Sequence, residues 1–263
     1  MKPDARVTQD VLGCQVDVID WDRVVRRVLD WANARESRYV CHGNVHVIVS
    51  ARRDQHLRRA LEDADMVTPD GMPVAWWLRA CARVRQPRID GPDMMWKLCA
   101  AAANDGQKIY LYGGSVDTLS RLQQRLAAAF PGLAVVGAES PPFTGQAMHV
   151  DTQAARRINE SGAQLVFVGL GCPKQERWMS LHRGKLRAVM LGVGAAFDFH
   201  AGSVRRAPAW LRRFGLEWFY RLVAEPRRLW RRYAVTNSLF VLHVVGSLLR
   251  HAFTPRRQRV RHE

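Results

Sequence analysis

Cysteine is scarce in this 263-residue chain, and lysine is absent from its last quarter. The five cysteines are Cys14, Cys41, Cys81, Cys99 and Cys172. Their number is odd and no C-x-x-C occurs, which argues against a disulfide framework or a zinc ribbon. Most sit in apolar stretches and read as small buried hydrophobes, as expected in a reducing compartment. The N-terminus, MKPDARVTQD, lacks the apolar core of a signal peptide. The longest uncharged run, 233–249, is broken by Thr236, Asn237, Ser238, His243 and Ser247. It falls short of the roughly 20 apolar residues a membrane span needs, so a helix lying in the interface or partly buried is expected there. Several motifs are missing too. GLGCPK and GVGAAF lack the third glycine of a dinucleotide fingerprint, and neither follows a first strand. There is no G-x-x-x-x-G-K-[ST], H-E-x-x-H or G-x-S-x-G. No metal site is read from the sequence.

What is present is an apolar content of 48% and a formal charge of +16. Eleven of those sixteen charges come from residues 201–263, where fourteen Arg stand against Glu217, Glu225 and Glu263. A strongly basic end meets phosphate on nucleic acid or on a membrane, or is a solvated face. Trp210, Trp218, Phe219, Trp230 and Tyr233 interleave these arginines, a mixture suited to a headgroup zone.

The preceding 200 residues alternate short apolar runs with helical patterns. Strand candidates lie at 39–41, 66–68, 108–112, 133–138, 164–169 and 188–194. Asp20 and Ser115 stand where helix caps belong. The alternation predicts an α/β fold, a Rossmann-like, mostly parallel sheet with helices on both faces. The expected organisation is a catalytic domain over 1–200 and a basic helical appendage over 201–263. Pro226 is placed at the first turn of a new helix.

In such a sheet ligands bind outside the carboxyl ends of the strands. Those ends read CHGN, TPDG, YGGS, GLGCPKQE and GVGAAFDF. Glycine lets backbone approach a ligand, and helix N-termini favour anions, so a nucleotide or diphosphate ligand is expected. Tight turns are the plainer reading of the same glycines. Asp70, between Pro69 and Gly71, suits a general base and equally a helix cap. Asp90, Asp93 and Asp198 compete with it. His42 and His46 flank Asn44, with no third ligand to make a metal site.

ADMVTPDGMPVAW, PRIDGPDMM, YLYGGS, VFVGLGCPKQERWM, LGVGAAFDFHAGSVRRAP and GLEWFYRLVAEPRRLWRRY occur in this order. Together, over roughly residues 10–235, they resemble the WecG/TagA/CpsF family of bacterial glycosyltransferases, glycosyltransferase family 26. The resemblance implies a metal-independent inverting enzyme with no cofactor. It would move a sugar from a UDP-sugar donor to a glycan on a polyprenyl diphosphate. The proposed base falls on Asp70. A polar pair, usually Thr-x-Asn, falls on His42 and Asn44, where the Thr is replaced. An active-site glutamine falls on Gln175, and arginines for the acceptor diphosphate fall on Arg221, Arg228 and Arg231. Gly113, Gly114, Gly169, Gly192, Arg88 and Asp93 complete the expected substrate contacts. NVHVIV and SPPF are most similar to members that build exopolysaccharide, which points to glucose or another hexose. An anionic membrane surface is the expected partner, reached from the cytoplasmic face of the bacterial plasma membrane. A homo-oligomer is left open. The rival classes are a nucleic-acid-binding module built on the tail and a nicotinamide-dependent oxidoreductase. Neither has its motif here.

Overall fold

The structure, a computed structural model, describes residues 5–142 and 149–253. It opens with a hairpin that the sequence pattern does not announce. β1 (Thr8–Val11) and β2 (Cys14–Asp17) pair antiparallel, with Val11 opposite Cys14. Leu12 and Gly13 between them have φ of 56° and 89°, the twist a two-residue hairpin turn requires. α1 (Trp21–Asn33) follows, and the Asp20 side chain accepts from the Arg23 N–H as its cap.

The chain then alternates. The first half runs β3 (Arg38–Gly43), α2 (Val45–Ala51), α3 (Gln55–Glu62), β4 (Met66–Pro69), α4 (Met72–Ala82) and α5 (Gly91–Asp105). Next come β5 (Lys108–Gly113), α6 (Val116–Ala129), β6 (Ala134–Glu139), α7 (Thr152–Ser161), β7 (Leu165–Gly169), α8 (Lys174–His182), β8 (Val189–Leu191) and α9 (Ala196–Ala201). The tail forms α10 (Ala209–Arg213), α11 (Glu217–Ala224) and α12 (Pro226–Phe253). α12 begins at Pro226, as expected, because proline lacks only an N–H that the first turn leaves unused. α5 starts at Gly91, earlier than the pattern implies, because Asp90 caps it by accepting from the Asp93 N–H.

β3 to β8 make one six-stranded sheet in the order β4-β3-β8-β7-β5-β6, every pairing parallel. Successive side chains on a strand point to opposite faces. Tyr39, Cys41, Tyr110, Tyr112, Val166, Val168 and Met190 therefore pack into one core with α2, α3, α4, α7 and α8. Val40, Ile109, Leu111, Leu165, Phe167, Val189 and Leu191 pack into the other with α1, α5, α6 and α9. Burial on both faces explains why the strands read as continuous apolar runs. Burying one such aliphatic or aromatic side chain contributes roughly 1.5–3 kcal/mol.

The boundary expected at residue 200 falls at the end of α9. The tail beyond it does not stand clear of the sheet domain. Phe240 of α12 is buried in the same core as α2, and Leu239 and Val244 pack against that core. Among the described residues no helix is long and apolar enough to cross a membrane. All five cysteines are free, and Cys14, Cys41 and Cys99 are buried.

Candidate active site

The strand carboxyl ends open into a cavity of ≈ 1540 Å³. His42, Asn44, Asp70, Arg88, Gly114, Gly169, Gln175, Gly192 and Arg221 all line it. It stretches from the end of β4, at Asp70, to the loops after β5 and β6, at Ser115 and Ser140. β4 and β5 are four strand spacings apart, which is roughly 19 Å at the usual interstrand distance.

The floor at the β4 edge is set by strand register. His42 stands opposite Thr68 across the β3–β4 pair, and Gly43 opposite Pro69. One further step brings Asn44 beside Asp70. The Asn44 Oδ1 accepts from the Val47 N–H at 3.0 Å, capping α2. That leaves its Nδ2 to donate to Asp70 Oδ2, also at 3.0 Å. Gly71, with φ of 87° and no side chain, occupies the cap position of α4. Asp70 is therefore not the cap of that helix, and its carboxylate faces the cavity with one oxygen held by Asn44.

The other Asp70 oxygen lies 3.9 Å from Arg88 Nε. Arg88 also reaches Asp90 at 2.6 Å and Glu217 of α11 at 2.5 Å. Arg206 pairs with Asp90 at 2.9 Å, with Asp93 at shorter range, and with Glu217 at 3.7 Å. Arg88, Asp90, Arg206 and Glu217 thus form a closed ring of alternating charge, each side chain less than one-fifth exposed. The ring joins the loop before α5, the segment after α9, and α11. Burial pushes the Asp90 carboxyl up to about 6 against the pull of Arg88 and Arg206. Arg88 is held well above its ordinary value by Asp90, Asp70 and Glu217, although its burial works the other way.

One turn after Glu217, Arg221 lines the cavity with its guanidinium 5.6 Å from the Phe199 ring. Its Nε is buried and has no hydrogen-bond partner among the described residues. Arg231 is exposed, lies against Trp230 and does not line the cavity. The side chain of Arg228 lies outside the described residues. Asp93 is drawn to Arg206 and Arg212 and stands outside the cavity.

Gln175 is nearly fully buried, and both ends of its amide are engaged within the protein. Its Oε1 accepts from the Gly171 N–H at 3.2 Å, and its Nε2 donates to the Gly192 carbonyl at 2.8 Å and to Glu176. It ties the loops after β7 and β8 together. Gly113 is absent from the lining. A Cβ there would come 2.7 Å from the backbone of Gly169, and its φ is 117°, so it lets two strand ends close up while Gly114 and Gly169 face the cavity. Asp198 also lines the cavity. Among the described residues no three His, Cys, Asp or Glu side chains gather as a metal site would require.

The sequence reading missed Glu217 and Arg206. Glu217 sits inside the LEW motif, but its partner is 129 residues away in the chain, and no local pattern reports such a pairing.

A cavity at the carboxyl edge of a parallel sheet, with a positioned carboxylate and an arginine in its lining, is where an α/β protein of this architecture binds a ligand. The family model for "Glycosyl transferase WecG/TagA/CpsF family" matches residues 9–254. The chain belongs to this family and is a glycosyltransferase. A relative from Bacillus subtilis (strain 168) is 31% identical over 190 residues, 72% of each chain. One from Bacillus spizizenii (strain ATCC 23059 / NRRL B-14472 / W23) is 28% identical over 222 residues, 84% of this chain and 82% of the relative. Both are N-acetylglucosaminyldiphosphoundecaprenol N-acetyl-β-D-mannosaminyltransferases. Membership decides among the classes weighed from the sequence.

Proposed function

We propose that the chain moves a hexose-type sugar from a UDP-sugar to a glycan carried on a polyprenyl diphosphate, with inversion and without a divalent metal. The observation that carries this reading is the Asn44–Asp70 pair on the cavity floor, with Arg221 of α11 lining the same cavity. Asp70 takes the proton of an acceptor hydroxyl as that oxygen attacks the anomeric carbon. The new C–O bond forms on one face as the bond to UDP breaks on the other, and UDP leaves with the electron pair. Such a base contributes about 10²–10⁴-fold to the rate. Backbone N–H groups of the glycine-rich loops and arginine offset the charge that develops on the diphosphate.

The dimensions support the same reading. An extended nucleotide-sugar fits along a cavity roughly 19 Å from one strand end to the other. Arg221, with its buried Nε unpartnered among the described residues, suits a diphosphate oxygen. Trp210, Phe214, Phe219, Val223 and Trp230 of the tail are exposed. Their mixture with arginine fits an anionic bilayer surface, where a polyprenyl carrier would present its head.

The test is a panel of UDP-sugars on a diphosphate-linked N-acetylglucosamine lipid. UDP-N-acetylmannosamine comes first, because the relatives' names carry that sugar, and UDP-glucose second. No transfer and no UDP release from any donor would sink the proposal. A chelator should leave the rate unchanged. A loss restored by Mg²⁺ or Mn²⁺ removes the metal-free step.

A further inference from the structure

The His42 ring is almost wholly buried yet borders the cavity. Its Nδ1 is 2.6 Å from Thr68 Oγ1, and either atom could in principle donate. The neighbouring bond resolves the choice. Thr68 Oγ1 also donates to the Ile89 carbonyl at 3.1 Å. A hydroxyl has one hydrogen, and a carbonyl cannot donate, so that hydrogen belongs to the Thr68–Ile89 bond. The Nδ1–Thr68 bond must then be made by an Nδ1–H. Burial favours the neutral ring, holding its pKa below the ordinary value, although the Asp70 charge and a hydrogen bond from the ring to the Ile89 backbone work against this. In a neutral imidazole with hydrogen on Nδ1, Nε2 carries a bare lone pair. That atom is buried and has no hydrogen-bond partner among the described residues.

Such an atom is costly to leave unsatisfied. Its setting names the partner. His42 and Asn44 lie two residues apart and share a face, as do Thr68 and Asp70. The His42–Thr68 pair therefore stands one step, about 7 Å, behind the Asn44–Asp70 pair at the floor of the cavity. A lone pair cannot bind a diphosphate, which offers only acceptors. It needs an O–H, and a sugar at the transfer point supplies one.

We propose that His42, its tautomer fixed by Thr68, accepts a hydrogen bond through Nε2 from a hydroxyl of a sugar bound beside Asp70. This rests on the glycosyl-transfer reading above. A threonine at the same position could donate or accept. Histidine locked in this form only accepts, so it requires a hydroxyl, or another donor, at one point on the sugar. His42 is in this sense a determinant of which sugar is held, and Thr68 is its positioning residue.

The test is nitrogen NMR on protein labelled in its nine histidines. His42 is assigned by the signal lost in His42→Thr. In the free protein, Nδ1 should resonate as protonated and Nε2 as unprotonated. A protonated Nε2 overturns the proposal before any ligand is added. UDP-N-acetylmannosamine, UDP-glucose and a soluble diphosphate-linked N-acetylglucosamine are then added separately. A shift of Nε2 towards the protonated range with a UDP-sugar assigns the hydroxyl to the donor. The same shift with the diphosphate-linked sugar assigns it to the acceptor. Binding that moves other histidines but leaves Nε2 unchanged rejects the His42 assignment and spares the glycosyl-transfer reading. No binding by any of the three, judged by unchanged spectra and melting temperature, rejects that reading and this proposal with it. Thr68→Val supplies a readout that a merely structural role would not move. It should let both tautomers populate and raise the KM for the same sugar about tenfold, the share of one hydrogen bond. An unchanged tautomer in Thr68→Val shows that Thr68 does not set it and overturns that part of the proposal.

Discussion

The floor and the lid of the cavity are held by different physics. On the floor, two neighbouring strands join His42 to Thr68 and Asn44 to Asp70 by hydrogen bonds, each across 26 residues of chain. Sheet register fixes these pairs, and the sheet is buried on both faces. On the lid, α11 is held over the floor by Glu217, which binds Arg88 from 129 residues away. Leu229, Thr236 and Phe240 add buried anchors on α12. The floor is therefore as rigid as the sheet. The lid sits where a ring of charges, backed by the buried side chains of α12, places it. A buried ion pair that loses one partner costs about 3–5 kcal/mol, because the remaining charge has no compensation. That is enough to unseat one short helix while leaving the sheet folded.

The largest expected effect tests the floor. Asp70→Asn should lower turnover about 10²-fold or more, the share of a general base, with UDP-sugar affinity little changed. Asn44 would still have a side chain to bond, so the geometry should persist. Single-turnover rates measured with the lipid acceptor decide the matter, and wild-type turnover removes Asp70 from the chemistry.

Glu217→Gln tests the lid. It keeps the shape of the side chain and removes the charge that Arg88 and Arg206 share. Use of the lipid acceptor, read as kcat/KM, should fall about tenfold or more, given the cost of a broken buried pair. The KM for the UDP-sugar should hold. A variant that loses both substrates equally shows that floor and lid are one unit, and the comparison fails.

The same contrast explains what the sequence could disclose. The six strands and their helices were legible because alternation and apolar runs are local. β1 and β2 were not, because four-residue strands around a Leu-Gly turn carry no marked signal. Asp70 stood out as a carboxylate at a strand end, but its two roles could be separated only by seeing Gly71 take the cap. The resemblance supplied Gln175, which lines the cavity, and only the structure shows that its amide also binds two loops to each other. The charge ring was illegible, since fourteen arginines in the tail offer no local reason to single out Arg206. Of the arginines the resemblance pointed to, the structure brings Arg221 into the cavity and leaves Arg231 outside it.

That last distinction yields the smaller effects. Arg221→Ala should raise the acceptor KM about tenfold or more, because a charge-assisted hydrogen bond contributes about 1.5–3 kcal/mol. The loss should depend little on salt, since partly buried contacts are weakly screened. Arg231→Ala should leave the KM for a water-soluble acceptor analogue unchanged. Its effect should appear only on vesicles containing anionic lipid, as a loss of affinity of about fivefold, the share of one arginine near a charged bilayer. That loss should fade at high ionic strength, because an exposed charge is screened within about 10 Å at 0.1 M salt. If Arg231→Ala instead impairs the soluble acceptor and Arg221→Ala does not, the diphosphate sits outside the cavity. The lid would then be a membrane anchor with no part in the transfer.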